Sequence, residues 1–177
     1  MAAPLISDSY RALQQQLHEN PNYGVASVHF APLVAEVMGK LGVHELLDYG
    51  AGKGRLGLEL RARLPFTPDI SHYDPAVTHW AAEPEPRDLV VCIDVLEHIE
   101  PELLDNVLDH LASLTKRFGL FTVHSGPAQK VLADGRNAHL IQQDERWWLP
   151  RLLQRFNLLS YNRTQAGFWV VVEKARP

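Results

Sequence analysis

The chain has 177 residues, of which 46% are hydrophobic and 21% charged, and its net charge is −4, which excludes disordered and fibrous proteins. The length suits a single domain over residues 1–177 with its own hydrophobic core. Because the chain has one cysteine, no signal-peptide pattern and no apolar run of about 20 residues, we expect a cytoplasmic protein with no internal disulfide and no membrane partner.

The predicted elements alternate between helices and strands. Two helices come first, over 8–20 and from a cap at Ser27 to about residue 41, and residues 1–42 are predicted to form a helical lid. Residues 43–177 then form the core, with strands over 45–49, 70–73, 88–93, 119–123, 158–162 and 168–173 and helices over 53–64, 101–117 and 144–156. This alternation predicts an α/β fold in which a mostly parallel sheet has helices on both faces and ends in an antiparallel C-terminal hairpin.

The segment between Asp74 and Asp88 is short for such a fold. Only 13 residues separate the two acids, and Pro75, Pro84 and Pro86 are among them. A crossover that contains a helix and another strand needs more residues than this. The sheet is therefore predicted to lack one edge strand and one helix.

A glycine turn between the first strand and the next helix is the strongest motif. The strand ends in Asp48, and glycines follow at positions 50, 52 and 54. Glycine lets the backbone turn tightly and approach a ligand, and the free N–H groups at the helix start favour an anionic group. A P-loop is excluded, because Lys53 is followed by Gly54 rather than by Ser or Thr. Taken alone, the turn also fits a plain tight connection.

Two further strands end in acids. Asp74 lies 20 residues after Gly54, where a nucleotide-binding fold places an acid for the ribose hydroxyls, although a strand-end turn residue is the alternative. The apolar strand 88–93 is followed by Asp94 and then by the pair Glu97 and His98. Ligands of open α/β sheets bind at this carboxyl edge, whereas an acidic helix start is the structural alternative.

In this order and spacing, the three segments resemble class I S-adenosylmethionine-dependent methyltransferases, closely over residues 44–125. The D-x-L-E-H element at 94–98 is similar to that of quinone and small-molecule O- and N-methyltransferases. The resemblance implies a Rossmann-like fold, S-adenosyl-L-methionine as cofactor and a small polar methyl acceptor. It implies cofactor contacts for Asp48, Gly50, Ala51, Gly52, Gly54, Asp74, Pro75, Asp94 and Val95. Since the usual adenine-contacting segment is missing, the predicted substitutes are Val77, Trp80 or main-chain atoms near them, although Trp80 fits a core position equally well.

The acceptor side is predicted from the same sheet edge. Methylation of an oxygen needs a base, and the candidates are His98, His124 and His139, each of which also fits a structural histidine. The residues predicted to bind the acceptor are Tyr23, Glu97, Arg136 and Asn137. No further cluster with ligand spacing accompanies the histidines, so no metal site is predicted.

The charge is distributed unevenly along the chain. The segment 116–163 has eight basic residues and three acidic ones, which fits either solvated helix faces or a site for an anionic acceptor. A nucleic-acid or nucleotide methyltransferase is an alternative that rests only on this basic half. A catalytically silent partner subunit that binds the cofactor is another. A nicotinamide-dependent dehydrogenase is disfavoured, because the D-x-L-E-H element has no role in hydride transfer. The sequence does not indicate an oligomeric state.

Overall fold

The computed structural model describes residues 3–21 and 23–175. Its strands are β1 (Glu45–Tyr49), β2 (Asp69–Tyr73), β3 (Arg87–Ile93), β4 (Thr115–His124), β5 (Phe156–Arg163) and β6 (Gly167–Lys174). They form one six-stranded sheet in the order β2-β1-β3-β4-β6-β5. Neighbouring strands from β2 to β4 are parallel, and β6 is antiparallel to both β4 and β5. The predicted mostly parallel sheet with an antiparallel hairpin is confirmed.

Helices cover both faces of this sheet. They are α1 (Asp8–His18), α2 (Ala26–Leu41), α3 (Arg55–Arg63), α4 (Leu104–Leu114) and α5 (Glu145–Leu152). Successive side chains of a strand point to opposite faces, so Leu46 packs in the core under α2 and α3 while Leu47 packs in the core under α4 and α5. Within the described residues, no helix has the length and apolar character that crossing a membrane requires.

The connection from β2 to β3 contains one short 3-10 turn, Thr78–Trp80, and no strand. As a result β2 is the edge of the sheet on this side, beside β1. The predicted absence of one edge strand and one helix is thereby confirmed. A connection of 13 residues has no room for both a helix and a strand.

The bounds predicted for the helix over 101–117 are wrong at both ends. Residues Pro101–Leu103 form a 3-10 turn, and α4 ends at Leu114. Thr115 is extended, and its hydroxyl donates a 2.7 Å hydrogen bond to the carbonyl oxygen of Leu111. This bond satisfies a terminal carbonyl of the helix and lets Thr115 begin β4 directly.

Two other predicted boundaries also differ. The helix α2 begins one residue before Ser27, and its cap residue is Val25, which makes no side-chain capping bond. The last helix ends at Leu152 rather than running to Phe156, which is already the first residue of β5.

Candidate active site

A cavity of about 410 Å³ lies at the carboxyl ends of β1, β2 and β3. One side is lined by the glycine turn 50–52 and by residues 74–76, and the other by Asp94 and Val95 after β3. Helix α1 and residues 23–27 line it from above. This is the sheet edge at which open α/β folds bind their ligands.

The glycine turn requires glycine at two of its positions. Gly50 has a φ of 79°, and a Cβ atom there would overlap the side chain of Val95. Gly52 has a φ of 51°, which L side chains rarely adopt. Its backbone N–H donates a 2.9 Å hydrogen bond to Oδ2 of Asp74. The turn after β1 is therefore tied to the acid after β2.

The carboxylate of Asp74 is held rigidly at the cavity wall. Its other oxygen, Oδ1, accepts a 2.9 Å hydrogen bond from the backbone N–H of Ala76, and the residue is 7% exposed. Each carboxylate oxygen has two lone-pair sites, so both oxygens keep a site for a further donor. The position suits an acid that accepts hydrogen bonds from the two hydroxyls of a ribose.

The three predicted bases come together at the other end of the cavity, where all of them line the wall. The ring centre of His139 lies 4.6 Å from that of His98 and 4.8 Å from that of His124. Nδ1 of His98 is 2.8 Å from the carbonyl oxygen of Ala138, and Nδ1 of His139 is 2.7 Å from that of Gly126. A carbonyl only accepts, so in the neutral rings Nδ1 carries the proton and Nε2 keeps its lone pair.

The sequence match agrees with this geometry, because residues 11–168 match the family model of the methyltransferase domain. The chain belongs to that family. This methyltransferase depends on S-adenosylmethionine as its cofactor, and the cavity with its glycine turn and ribose-type acid fits that molecule. No protein with a curated description matches the sequence.

Solved structures support the same fold. 1,6-Didemethyltoxoflavin-N1-methyltransferase from Burkholderia thailandensis, solved with 1,6-didemethyltoxoflavin and S-adenosylhomocysteine, is 18% identical at a TM-score of 0.67, covering 99% of this chain and 94% of its own. Magnesium protoporphyrin IX methyltransferase from Synechocystis PCC 6803, solved with S-adenosylhomocysteine, is 16% identical. Its TM-score is 0.56, and the match covers 96% of this chain and 95% of that protein. Mitomycin 7-O-methyltransferase MmcR is 17% identical at a TM-score of 0.67. The match covers 92% of this chain and 60% of that protein. At these identities the likeness shows the fold alone.

Two residues predicted to contact the cofactor lie behind the turn of this methyltransferase rather than on the cavity wall. Asp48 is 4% exposed, and its Oδ2 lies 3.3 Å from Nδ1 of His72. Burial raises the pKa of Asp48. Gly54 is the cap residue of α3, with a φ of 65°. In this structure both residues shape the turn, and their contacts with the cofactor stay a prediction. The other predicted cofactor residues all line the cavity, namely Gly50, Ala51, Gly52, Asp74, Pro75, Asp94 and Val95.

Trp80, one of the two predicted adenine contacts, packs elsewhere. Its ring lies 4.5 Å from that of His72, on the outer side of the turn. Neither Trp80 nor Val77 lines the cavity. Pro75 and Ala76 line the cavity at this point, and the adenine contacts at 77 and 80 stay a prediction.

Of the four residues predicted to bind the acceptor, Tyr23 alone lines the cavity. Its ring centre is 6.4 Å from that of His98, and burial raises its pKa to about 12. Arg136 is exposed, and its Nε donates a 2.8 Å hydrogen bond to Asp134. Asn137 instead fixes its own loop, since its Oδ1 accepts from the backbone N–H groups of Ala128 and His139, both at 2.9 Å.

Glu97 lies beneath the histidines and is fully buried. Its Oε1 accepts a 2.9 Å hydrogen bond from the backbone N–H of His124, while its Oε2 has no hydrogen-bond partner among the described residues. Burial raises the pKa of Glu97 well above its ordinary value. Burial also lowers the pKa of His98 to about 3, so that ring is neutral at physiological pH.

Helix α1 contributes Tyr10 and His18, which the sequence predicts as part of the lid over the acceptor, and Gln14, which it does not. Gln14 donates a 2.6 Å hydrogen bond to Oη of Tyr10, whose hydroxyl donates a 2.6 Å bond to the carbonyl oxygen of His98. His18 also lines the cavity from this helix. The spacing of 10, 14 and 18 places all three on one helix face, and that spacing is the signal that could have found Gln14.

Proposed function

We propose that this methyltransferase methylates an oxygen or nitrogen atom of a small polar molecule. The observation that carries the proposal is a single cavity with Gly52 and Asp74 at one end and the three histidines at the other. Its volume of 410 Å³ is near the lower end of ligand cavities, which are about 300–1,000 Å³. Since cofactor and acceptor share this space, the acceptor is a small molecule.

The chemistry asks little of the protein beyond placement. S-adenosylmethionine supplies a methyl group that is already activated by a sulfonium leaving group. The residues Tyr10, Tyr23 and His18 cover the cavity, align the acceptor and exclude water. His98, His124 and His139 stand where an acceptor proton is released, and a lone pair on a neutral ring can accept it. We assign the lid to residues 3–21 and 23–25, because α2 packs in the helical layer with α3. Residues 1, 2 and 22 of the predicted lid lie outside the described residues.

The distribution of charge favours a small molecule over a nucleic acid. Most basic residues of the segment 116–163 are paired with acids: Lys116 with Glu45, Arg117 with Asp88, Arg136 with Asp134, Arg155 with Asp105 and Asp109, and Arg163 with Glu145. Such pairs leave little free positive charge for a phosphate backbone. Lys130 is the basic residue of this segment that lines the cavity, so an anionic acceptor has one cation available there.

The structural neighbours are named for 1,6-didemethyltoxoflavin, mitomycin and magnesium protoporphyrin IX, which are small molecules, and this supports the same class of acceptor here. The completely buried Cys92 fits a reducing compartment, and we propose the cytoplasm as the location.

An acceptor screen tests the proposal. The protein is incubated with methyl-labelled S-adenosylmethionine and, in parallel, with pools of small hydroxy and amino compounds, with total RNA and with duplex DNA. We expect label in one small-molecule pool and none in the polymers, and loss of transfer in Gly52→Val. Transfer to RNA or DNA alone would overturn the small-acceptor proposal.

A further inference from the structure

The acceptor end of the cavity contains a cluster that methyl transfer by itself does not explain. Glu97, His98 and His139 each offer one ligand atom, and these atoms lie within 4.8 Å of one another. Glu97 is fully buried, and its Oε2 has no partner among the described residues. A buried oxygen left without a partner costs free energy, so the fold retains Oε2 for a group that can bind it.

The histidine rings present the right atoms for a cation. Nδ1 of His98 and Nδ1 of His139 are each occupied by a backbone carbonyl, at 2.8 Å and 2.7 Å. This hydrogen bond fixes the tautomer and leaves the lone pair of Nε2 free to bind a metal ion, which is the usual arrangement around metal-binding histidines. We propose that Glu97, His98 and His139 bind a divalent transition-metal ion.

The ligand types decide which ion is expected. Two imidazoles and one carboxylate suit Zn²⁺, Co²⁺, Mn²⁺ or Fe²⁺, whereas Mg²⁺ and Ca²⁺ prefer oxygen ligands throughout. Ligands at about 2.0–2.2 Å from one tetrahedral ion stand roughly 3.3–3.6 Å apart. The three ligand atoms here lie within 4.8 Å of one another, so a shift of about 1 Å brings them to the spacing that one ion requires.

Three protein ligands leave coordination positions open toward the cavity, because His98 and His139 line its wall. An acceptor hydroxyl that binds the ion there is oriented and is more easily deprotonated. His124, whose ring centre is 4.8 Å from that of His139, is then left to take the proton. This role of the ion rests on the proposed function, whereas metal binding itself does not.

Metal binding is tested on the full chain after removal of metals with a chelator. Calorimetric titration with Zn²⁺ and the visible spectrum with Co²⁺ are compared for wild type, Glu97→Gln, His139→Ala and the control His44→Ala. His44 is exposed and precedes β1, at the opposite edge of the sheet. We expect one ion per chain in wild type and in the control, and more than about tenfold weaker binding in the two site variants. Equal binding in all four proteins, or none in wild type, would overturn the site.

Glu97→Gln separates a metal ligand from a structural acid. The amide oxygen of Gln can still accept the backbone N–H of His124, so the fold is kept, and thermal melting in chelator checks this. We expect Zn²⁺ to raise the melting temperature of wild type and to leave that of Glu97→Gln unchanged. A rise of the same size in Glu97→Gln would contradict the proposed ligand.

Cofactor affinity keeps the two proposals apart. Metal-free protein is expected to bind S-adenosylmethionine as tightly as metal-loaded protein, because the glycine turn and Asp74 lie at the other end of the cavity. If the ion binds but no small molecule is methylated, the proposed function fails and the metal site stands. If an identified hydroxyl acceptor is methylated at the full rate without metal, the role of the ion in activating it is wrong.

Discussion

The backbone N–H of Gly52 lies 2.9 Å from Oδ2 of Asp74 and donates a hydrogen bond to it. This contact joins the turn after β1 to the acid after β2 and fixes both on the wall of one cavity. A side chain at position 52 would enter the space beside this contact, and its Cβ would lie 3.1 Å from Cε1 of His18. The cofactor end of the site therefore depends on a bare backbone at Gly52.

Gly52→Val is expected to abolish S-adenosylmethionine binding while the sheet stays folded. Valine is strained at positive φ and blocks close approach of the ligand to the main chain. Gly42→Val is the matched control, because Gly42 also has a positive φ, of 62°, but ends α2 with open space around its Cβ position. Calorimetry should show binding in the control and none in Gly52→Val. Normal binding in Gly52→Val would mean that the turn is merely a tight connection.

The structure changes the expectation for Arg136. Its side chain is exposed and paired with Asp134, so Arg136→Ala and Arg163→Ala should both leave the Michaelis constant of an identified acceptor within about twofold of wild type. Lys130, which lines the cavity, is the cation whose replacement by Ala raises that constant if the acceptor is anionic. A raised constant in Arg136→Ala alone would show that the loop rearranges to bring it into the site.

His124→Ala is expected to lower turnover of an oxygen acceptor by about 10²- to 10⁴-fold, because a positioned group that accepts the proton is lost. Cofactor affinity should stay the same, since His124 lies at the acceptor end of the cavity. His79→Ala is the control, because His79 is exposed on the 3-10 turn outside the cavity. Turnover that is equal in both variants would contradict a role for His124.

Asp48 provides a test by pH. Burial raises its pKa in the folded state, so the ionised form opposes folding, and this opposition develops as the pH rises from the unfolded pKa through the folded one. Asp48→Asn lacks that ionisation. Its melting temperature should therefore exceed that of wild type at pH 7.5, and the difference should shrink towards pH 4. A difference that is the same at both pH values would show that ionisation of Asp48 plays no part.

The backbone features of the site could be predicted from the sequence. The glycine turn and the acids at strand ends are local patterns, and the missing edge strand follows from counting the residues between Asp74 and Asp88. The directions of side chains in the loop 125–144 could not be predicted. Asn137 binds the backbone of its own loop and Arg136 pairs with Asp134, and both outcomes depend on tertiary contacts. The same holds for Glu97, which lies beneath the histidines rather than beside the acceptor.

The affinity of S-adenosylmethionine for Asp74→Ala tests the central claim most directly. Loss of a hydrogen-bond acceptor of this kind lowers the binding free energy by about 1.5–3 kcal/mol. Calorimetry should therefore give a dissociation constant that is roughly 10- to 150-fold larger. Asp69→Ala, at the other end of β2 with its side chain 64% exposed, should bind like wild type. If Asp74→Ala is folded, as its melting curve and circular dichroism would show, and still binds the cofactor with wild-type affinity, the ribose is held elsewhere and this account of the site is contradicted.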